Sequence, residues 1–84
     1  MSEQKVGEVI KFFAKPMVAA IKVTAGGIAV GDTLHFAGHT TDFDAPVASM
    51  QEEHDSIETA GPGQMVGIQV PERCRPGDEV FKEA

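Results

Sequence analysis

Residues 16–36 constrain the fold of this chain more than any other stretch. Ala19, Ile21 and Val23 recur with period two, and Leu34 and Phe36 repeat the pattern further on. That spacing puts each set on one face of an extended segment, the signature of a half-buried β-strand. Between the two runs lie Gly26-Gly27, free to take positive φ, and Gly31-Asp32, a turn pair. The stretch reads as a strand, a glycine bend, a second tight turn and another strand. The expectation is a hairpin around which the other segments wrap.

Those other segments carry the same grammar. Residues 6–13 form a strand of imperfect alternation: Val6, Ile10 and Phe12 share one face with Glu8, and Val9, Lys11 and Phe13 share the other. Gly7 within it marks a bulge or a close backbone approach. Pro16 fixes φ at the entrance to the next strand. Residues 37–46 read as the longest polar connection, in which Thr40, Thr41, Asp42 and Asp44 bond to nearby backbone.

Residues 47–60 hold two competing patterns. Val47, Met50, His54 and Ile57 suit a helix face. Two short strands, 47–53 and 56–59, broken at Asp55-Ser56, suit the β-rich surroundings, and strands are the reading adopted. Gly61-Pro62-Gly63-Gln64 is a turn. Val66, Ile68 and Val70 then share a face, Pro71 ends that strand, and Val80 points inward from a last strand at 78–82. Val30-Gly31-Asp32-Thr33-Leu34 is echoed by Pro76-Gly77-Asp78-Glu79-Val80, as one turn used twice before a strand. About six short strands with regular turns make an all-β fold. The expected form is a small six-stranded antiparallel Greek-key-like closed barrel, one domain over residues 5–82.

Composition sets limits on function. A chain of 84 residues is one domain with a thin core. No apolar run approaches the roughly 18 residues that span a bilayer, and no secretory signal opens the chain, so no membrane partner and a cytoplasmic location are expected. A single cysteine excludes a disulfide framework and a cysteine-rich metal site. Cys74 lies between Arg73 and Arg75, whose charge favours a thiolate. In an extended segment, however, both arginines turn outward and the thiol inward, as a small apolar filler. The net charge of −6 is uneven: residues 1–24 carry +2, residues 25–60 carry −7 with no Lys or Arg, and residues 61–84 carry −1. Such a chain repels a phosphate backbone unless its few cations share a face.

The candidate site residues follow from side-chain chemistry. His39, Thr40 and Asp42, with Thr41 among them, offer an imidazole, hydroxyls and a carboxylate on a loop, where binding groups concentrate. Lys11, Lys15 and Lys22 offer a small basic face, with Phe12, Phe13 or Phe43 as stacking surfaces for bases. His35, His39, Asp42, Asp44 and His54 are metal-ligating types, but His35 and His39 straddle a strand end and a loop, so their spacing assigns no metal. Glu52 and Glu53 are adjacent in a strand and face opposite sides, against shared acid–base work. No Ser, His and Asp fall at spacings that suggest a triad. No catalytic residue and no cofactor is assigned.

The order of motifs resembles a known family. It runs Val-Gly-Glu-Val, Val-Ala-Ala-Ile-Lys-Val, Gly-Gly-Ile-Ala-Val-Gly-Asp-Thr-Leu, Val-Ala-Ser-Met-Gln, Ala-Gly-Pro-Gly-Gln-Met-Val-Gly-Ile and Pro-Gly-Asp-Glu-Val. This is similar to the second domain of translational GTPases of the elongation factor Tu and initiation factor two type, a six-stranded barrel. The same barrel occurs at the end of some collagenase-like peptidases and as small free-standing proteins, which this chain resembles most. No G-x-x-x-x-G-K-[ST] occurs, so the chain binds no GTP through a P-loop. The resemblance implies a non-catalytic binding module that docks on a protein or ribonucleoprotein partner. Two alternatives stand beside it: an accessory protein that binds tRNA or rRNA, and a lid or specificity subunit of a separate enzyme such as a collagenase-like peptidase.

Overall fold

A computed structural model describes residues 3–53 and 55–83. Among these residues the chain is all β, with ten strands and no helix: β1 Glu3–Phe13, β2 Val18–Val23, β3 Ile28–Ala29, β4 Thr33–Ala37, β5 Asp42–Pro46, β6 Met50–Glu52, β7 Asp55–Ile57, β8 Thr59–Ala60, β9 Met65–Gln69 and β10 Glu79–Glu83. No helix is long and apolar enough to cross a membrane. Eight strands form one antiparallel sheet in the order β5-β4-β10-β1-β2-β9-β6-β7, and β3 pairs with β8 in a second, two-stranded one.

This corrects the expected six-stranded closed barrel on two counts. The main sheet has eight strands, and no ladder among the described residues joins its end strands β5 and β7. The ends are linked indirectly instead. Val30 N–H donates to the Glu58 carbonyl beside the β3–β8 pair, and Gly31 N–H and the Asp32 carbonyl bond Val47, just past β5, at 2.9 and 2.8 Å.

The expected hairpin of residues 16–36 is also corrected. Its two strands do form, but β2 pairs with β1 and β9, while β4 pairs with β10 and β5. Two strands thus intervene between its arms. The alternation determined which face each strand buries, and the pairing came from distant segments. Residues 42–46, expected to be loop, are the edge strand β5. Phe43 and Ala45 point inward while Asp42, Asp44 and Pro46 point out. An edge strand tolerates both the proline and the carboxylates. Residues 47–53 and 55–60 hold strands rather than a helix, but three short ones, β6, β7 and β8, in place of the two expected. The reversal comes at Glu53, which has φ 50°, and Asp55 and Ser56, the expected break, lie within β7. His54 lies outside the described residues.

β1 is long because it is bulged twice. Its register slips at Val6 against β10 and at Ile10 against β2. The first slip lets Val6 join Gly7 and Val9 in the interior, and the second brings Phe12 rather than Lys11 to the inner face. Ile10 is left 41% exposed, so the sequence pairing of Val6, Ile10 and Phe12 on one face is replaced. Gly7 is required here: a Cβ would stand 2.6 Å from the Lys22 carbonyl oxygen of β2. The core that results holds Val6, Val9, Ala19, Ile21, Val23, Leu34, Phe36, Val66, Ile68 and Val80. Phe36 stacks on Phe43 with ring centroids 4.9 Å apart.

The repeated Gly-Asp turn is real in three dimensions. Gly31 and Gly77 take φ 101° and 96°. Asp32 accepts the Ala29 N–H at 2.9 Å, and Asp78 accepts the Arg75 N–H at 2.8 Å, each from three residues earlier. Asp32 N–H and Asp78 N–H each return a bond to that same residue's carbonyl, both at 3.0 Å. Their further partners differ. Asp32 meets the Lys82 ammonium at 3.4 Å, and the buried Asp78 accepts the Thr41 hydroxyl.

On the outer face, His35 of β4 lies between two carboxylates. Its Nδ1 is 2.7 Å from Glu3 Oε2 and its Nε2 is 2.6 Å from Asp42 Oδ1. Both contacts are donations only when the ring carries two protons, since a neutral imidazole has one N–H. The bonds to Asp42 and then Glu3 hold the His35 pKa above its ordinary 6.5. The clasp fastens the edge strand β5 and the start of β1 to β4.

Three outcomes are expected. Gly7→Ala should destabilise by about 2 kcal/mol, because the Lys22 carbonyl is backbone and moves only with β2, read as a lower urea midpoint. Asp78→Ala should cost about 2–3 kcal/mol by orphaning the Thr41 hydroxyl and Arg75 N–H. A raised folded pKa means the His35 contribution is full below 6.5 and is lost as pH rises through the folded value. Because His35 is partly solvated, the loss is at most about 1 kcal/mol. Thermal melts should show stability falling as pH rises above 6.5 in the wild type and no such fall in His35→Gln.

Candidate functional site

The site begins with Asp78. Its bond to Thr41 ties the β4–β5 turn to the segment that leads into β10, two regions 37 residues apart in sequence. The turn itself is closed by Gly38 N–H on the Thr41 carbonyl at 2.8 Å. A Cβ at Gly38 would collide with Asp78 Oδ1, and the carboxylate could give way only by loosening its bonds to Thr41 and Arg75. From the other side, Val9 N–H donates to the Asp78 carbonyl, and Gly77 N–H to the Val9 carbonyl. β1, the turn and the 75–78 segment are thereby fixed around one buried carboxylate.

Two adjoining hollows lie over this clamp. The larger, about 670 Å³, is lined by residues 37–40 around the β4–β5 turn, by residues 75–79, Asp78 and Glu79 included, and by Phe81. The smaller, about 360 Å³, is lined by Phe12, Thr40, Thr41, Arg73, Cys74 and Arg75. Thr40 and Arg75 belong to both. Cys74 is buried between two exposed arginines, as its position in an extended segment implies. Burial, and then the nearby Asp78 charge, push its thiol up to about 11. At neutral pH it is protonated and a poor nucleophile.

The sequence-derived candidates separate in space. His39 and Thr40 line the larger hollow. Thr41 is buried beneath it. Asp42 lies on β5 and is engaged by His35. Lys11 sits over the Phe13 ring at 5.2 Å, Lys22 pairs across strands with Glu8, and Lys15 is exposed in the β1–β2 turn. None of the three lysines lines either hollow, and Glu8 interrupts the basic face. Glu52 accepts two hydrogen bonds from the Gln64 amide, and Glu53 stands at the β6–β7 reversal. Among the described residues no three His, Cys, Asp or Glu side chains are grouped to hold a metal ion. Arg73 and Arg75 were missed as binding groups. Their outward direction was legible from Cys74, but the Thr40 wall opposite them was not.

Comparison with known proteins places this geometry in context. The family described as elongation factor G domain 2 matches residues 5–83. The chain is 32% identical over 78 residues to a collagenase of Porphyromonas gingivalis and 35% identical over 78 residues to an uncharacterized protease of Methanocaldococcus jannaschii. Each alignment takes in 92% of this chain but only 22% and 19% of those relatives, so the chain spans about a fifth of their length. Among solved structures, the C-terminal domain of a Geobacillus thermoleovorans protein described as a U32 peptidase superposes with a TM-score of 0.88 at 20% identity, over 96% of this chain and 93% of that one. Its selenomethionine variant gives 0.86 at 18% identity, over 95% and 99%. The fold and the match over nearly every residue make this chain a member of the elongation factor G domain 2 family.

Proposed function

We propose that this chain is a non-catalytic docking module that serves a peptidase-type catalytic body, presenting the Thr40–Arg75 hollows to a protein partner. The observation that carries this reading is the pair of protease relatives: at 32% and 35% identity they align with 92% of this chain while leaving about four-fifths of their own length outside it. Chemistry in such proteins has room elsewhere. Within this chain the buried thiol is protonated, and the carboxylates that line the larger hollow, Asp78 and Glu79, are engaged by Thr41 and by Lys5.

The family also includes domains of translation factors, and RNA remains a second reading. The surface argues against it. The lysines that would carry phosphate contacts are dispersed by Glu8, and residues 25–60 hold seven carboxylates and no cation. A cytoplasmic location accords with either reading.

The test uses this chain with a U32-type peptidase from which the C-terminal domain has been removed. Association at micromolar concentrations and an increase in cleavage of denatured collagen, through KM rather than kcat, are the expected results. No association, with salt-dependent binding of tRNA instead, would overturn the proposal.

A further inference from the structure

The smaller hollow has an unusual wall for so acidic a chain. The protein has 13 Asp and Glu against 7 Lys and Arg. Yet Phe12, Thr40, Thr41, Arg73, Cys74 and Arg75 include no carboxylate. Lys5 and Lys82 are each ion-paired, whereas Arg73 and Arg75 form no ion pair with any described carboxylate. Cys74 is buried between them, so alternation directs both guanidiniums outward on the same side of the segment. Glu72, next to Arg73 in sequence, does not line the hollow, and two further carboxylates near Arg75 have other partners. Asp78 is buried and already accepts the Thr41 hydroxyl and the Arg75 N–H, and Glu79 is held by Lys5 at 3.2 Å. Phe12, half-buried, adds an apolar wall beside this charge.

We propose that this hollow receives a carboxylate of a partner polypeptide, an Asp or Glu side chain or a chain end, next to an apolar residue. The inference rests on the docking reading above and names the chemistry of the docked segment. Guanidinium groups match a carboxylate in shape and bond it through two parallel N–H donors. The Thr40 hydroxyl supplies a further donor at the rim, and the apolar neighbour lies along Phe12. An acidic peptide is favoured over a polynucleotide for two reasons. Two arginines neutralise one or two charges, not a strand of them. The −7 of residues 25–60 repels an extended phosphate backbone and leaves a short acidic peptide little affected.

The experiment is a titration of the isotope-labelled chain, followed by amide shifts, with the capped peptide Ac-Gly-Phe-Asp-Gly-amide. Its Asn counterpart, the same sequence with a free C-terminus, and a short oligoadenylate serve as the other arms. Shifts should be confined to residues 12, 40–41 and 73–75. The Asn peptide should bind about tenfold more weakly, as expected for loss of a charge-assisted bond. Arg73→Gln and Arg75→Gln, both at exposed positions, should each weaken the Asp peptide about fivefold or more without changing the fold, and high salt should do the same. Stronger binding of the free C-terminus than of the Asp side chain would assign the chain end as the source. Equal binding of the Asp and Asn peptides, shifts outside these residues, no binding of either peptide, or preference for the oligoadenylate would overturn the inference. Association with the peptidase body that survives in the double arginine variant would overturn it too, while leaving the docking reading intact. Peptide binding with no association would do the reverse.

Discussion

The sheet depends on how closely β1 and β2 approach at Gly7. A backbone carbonyl, that of Lys22, occupies the space a side chain would need. With the strands in contact there, the register slips at Val6 and Ile10 bend an eleven-residue strand over the core. Bulges increase local twist and re-aim side chains, and here they recruit Val6, Val9 and Phe12 to the same side. An unbulged β1 could bury only alternate residues and would run off the edge of so small a core. The same bend exposes the Val6 carbonyl to Thr24 N–H at 2.8 Å, which fastens the glycine bend after β2.

The two Gly-Asp turns give the β4–β10 pair an approximate two-fold order. β4 and β10 are antiparallel neighbours, and each is introduced by one turn. The Asp before β4 reaches Lys82 on β10, and the Asp before β10 reaches Thr41 just past β4. Each strand's entry is thus fastened near the other's exit. The difference lies in burial. Asp32 and Lys82 are partly solvated, while Asp78 is sealed, and an internal carboxylate with paired neutral donors fixes geometry more firmly than a surface ion pair. The more rigid end of this pair is the one that carries the two hollows.

Much of the fold was legible because period-two alternation survives tertiary context. Ala19, Ile21 and Val23, then Leu34 and Phe36, then Val66 and Ile68, all face inward as their spacing required. The Gly-Asp echo was legible because a turn's hydrogen bonds are local. Partner choice was not, since nothing in residues 16–36 encodes that β10 and β1 come between β2 and β4. β5 was hidden by residues poor in strand propensity: Asp42, Asp44 and Pro46 are acceptable there only at an edge. The site was half visible. His39 and Thr40 announced themselves by loop chemistry, but the arginines facing them arrive from more than thirty residues away. The lysines drew notice through charge count alone, and their neighbours on the sheet divide them.

Glu3 and Glu83 pair across β1 and β10, so the polypeptide enters and leaves the fold side by side. The hollows lie toward the opposite pole of that strand pair, near Phe12 and Glu79. Any tether at either point therefore departs from the end of β1 opposite Phe12. A host protein could carry the domain as a pendant, or splice it into a surface loop, without occluding the arginine-lined face. What is held at that face would then be presented outward, at a reach set by the linker rather than by the sheet.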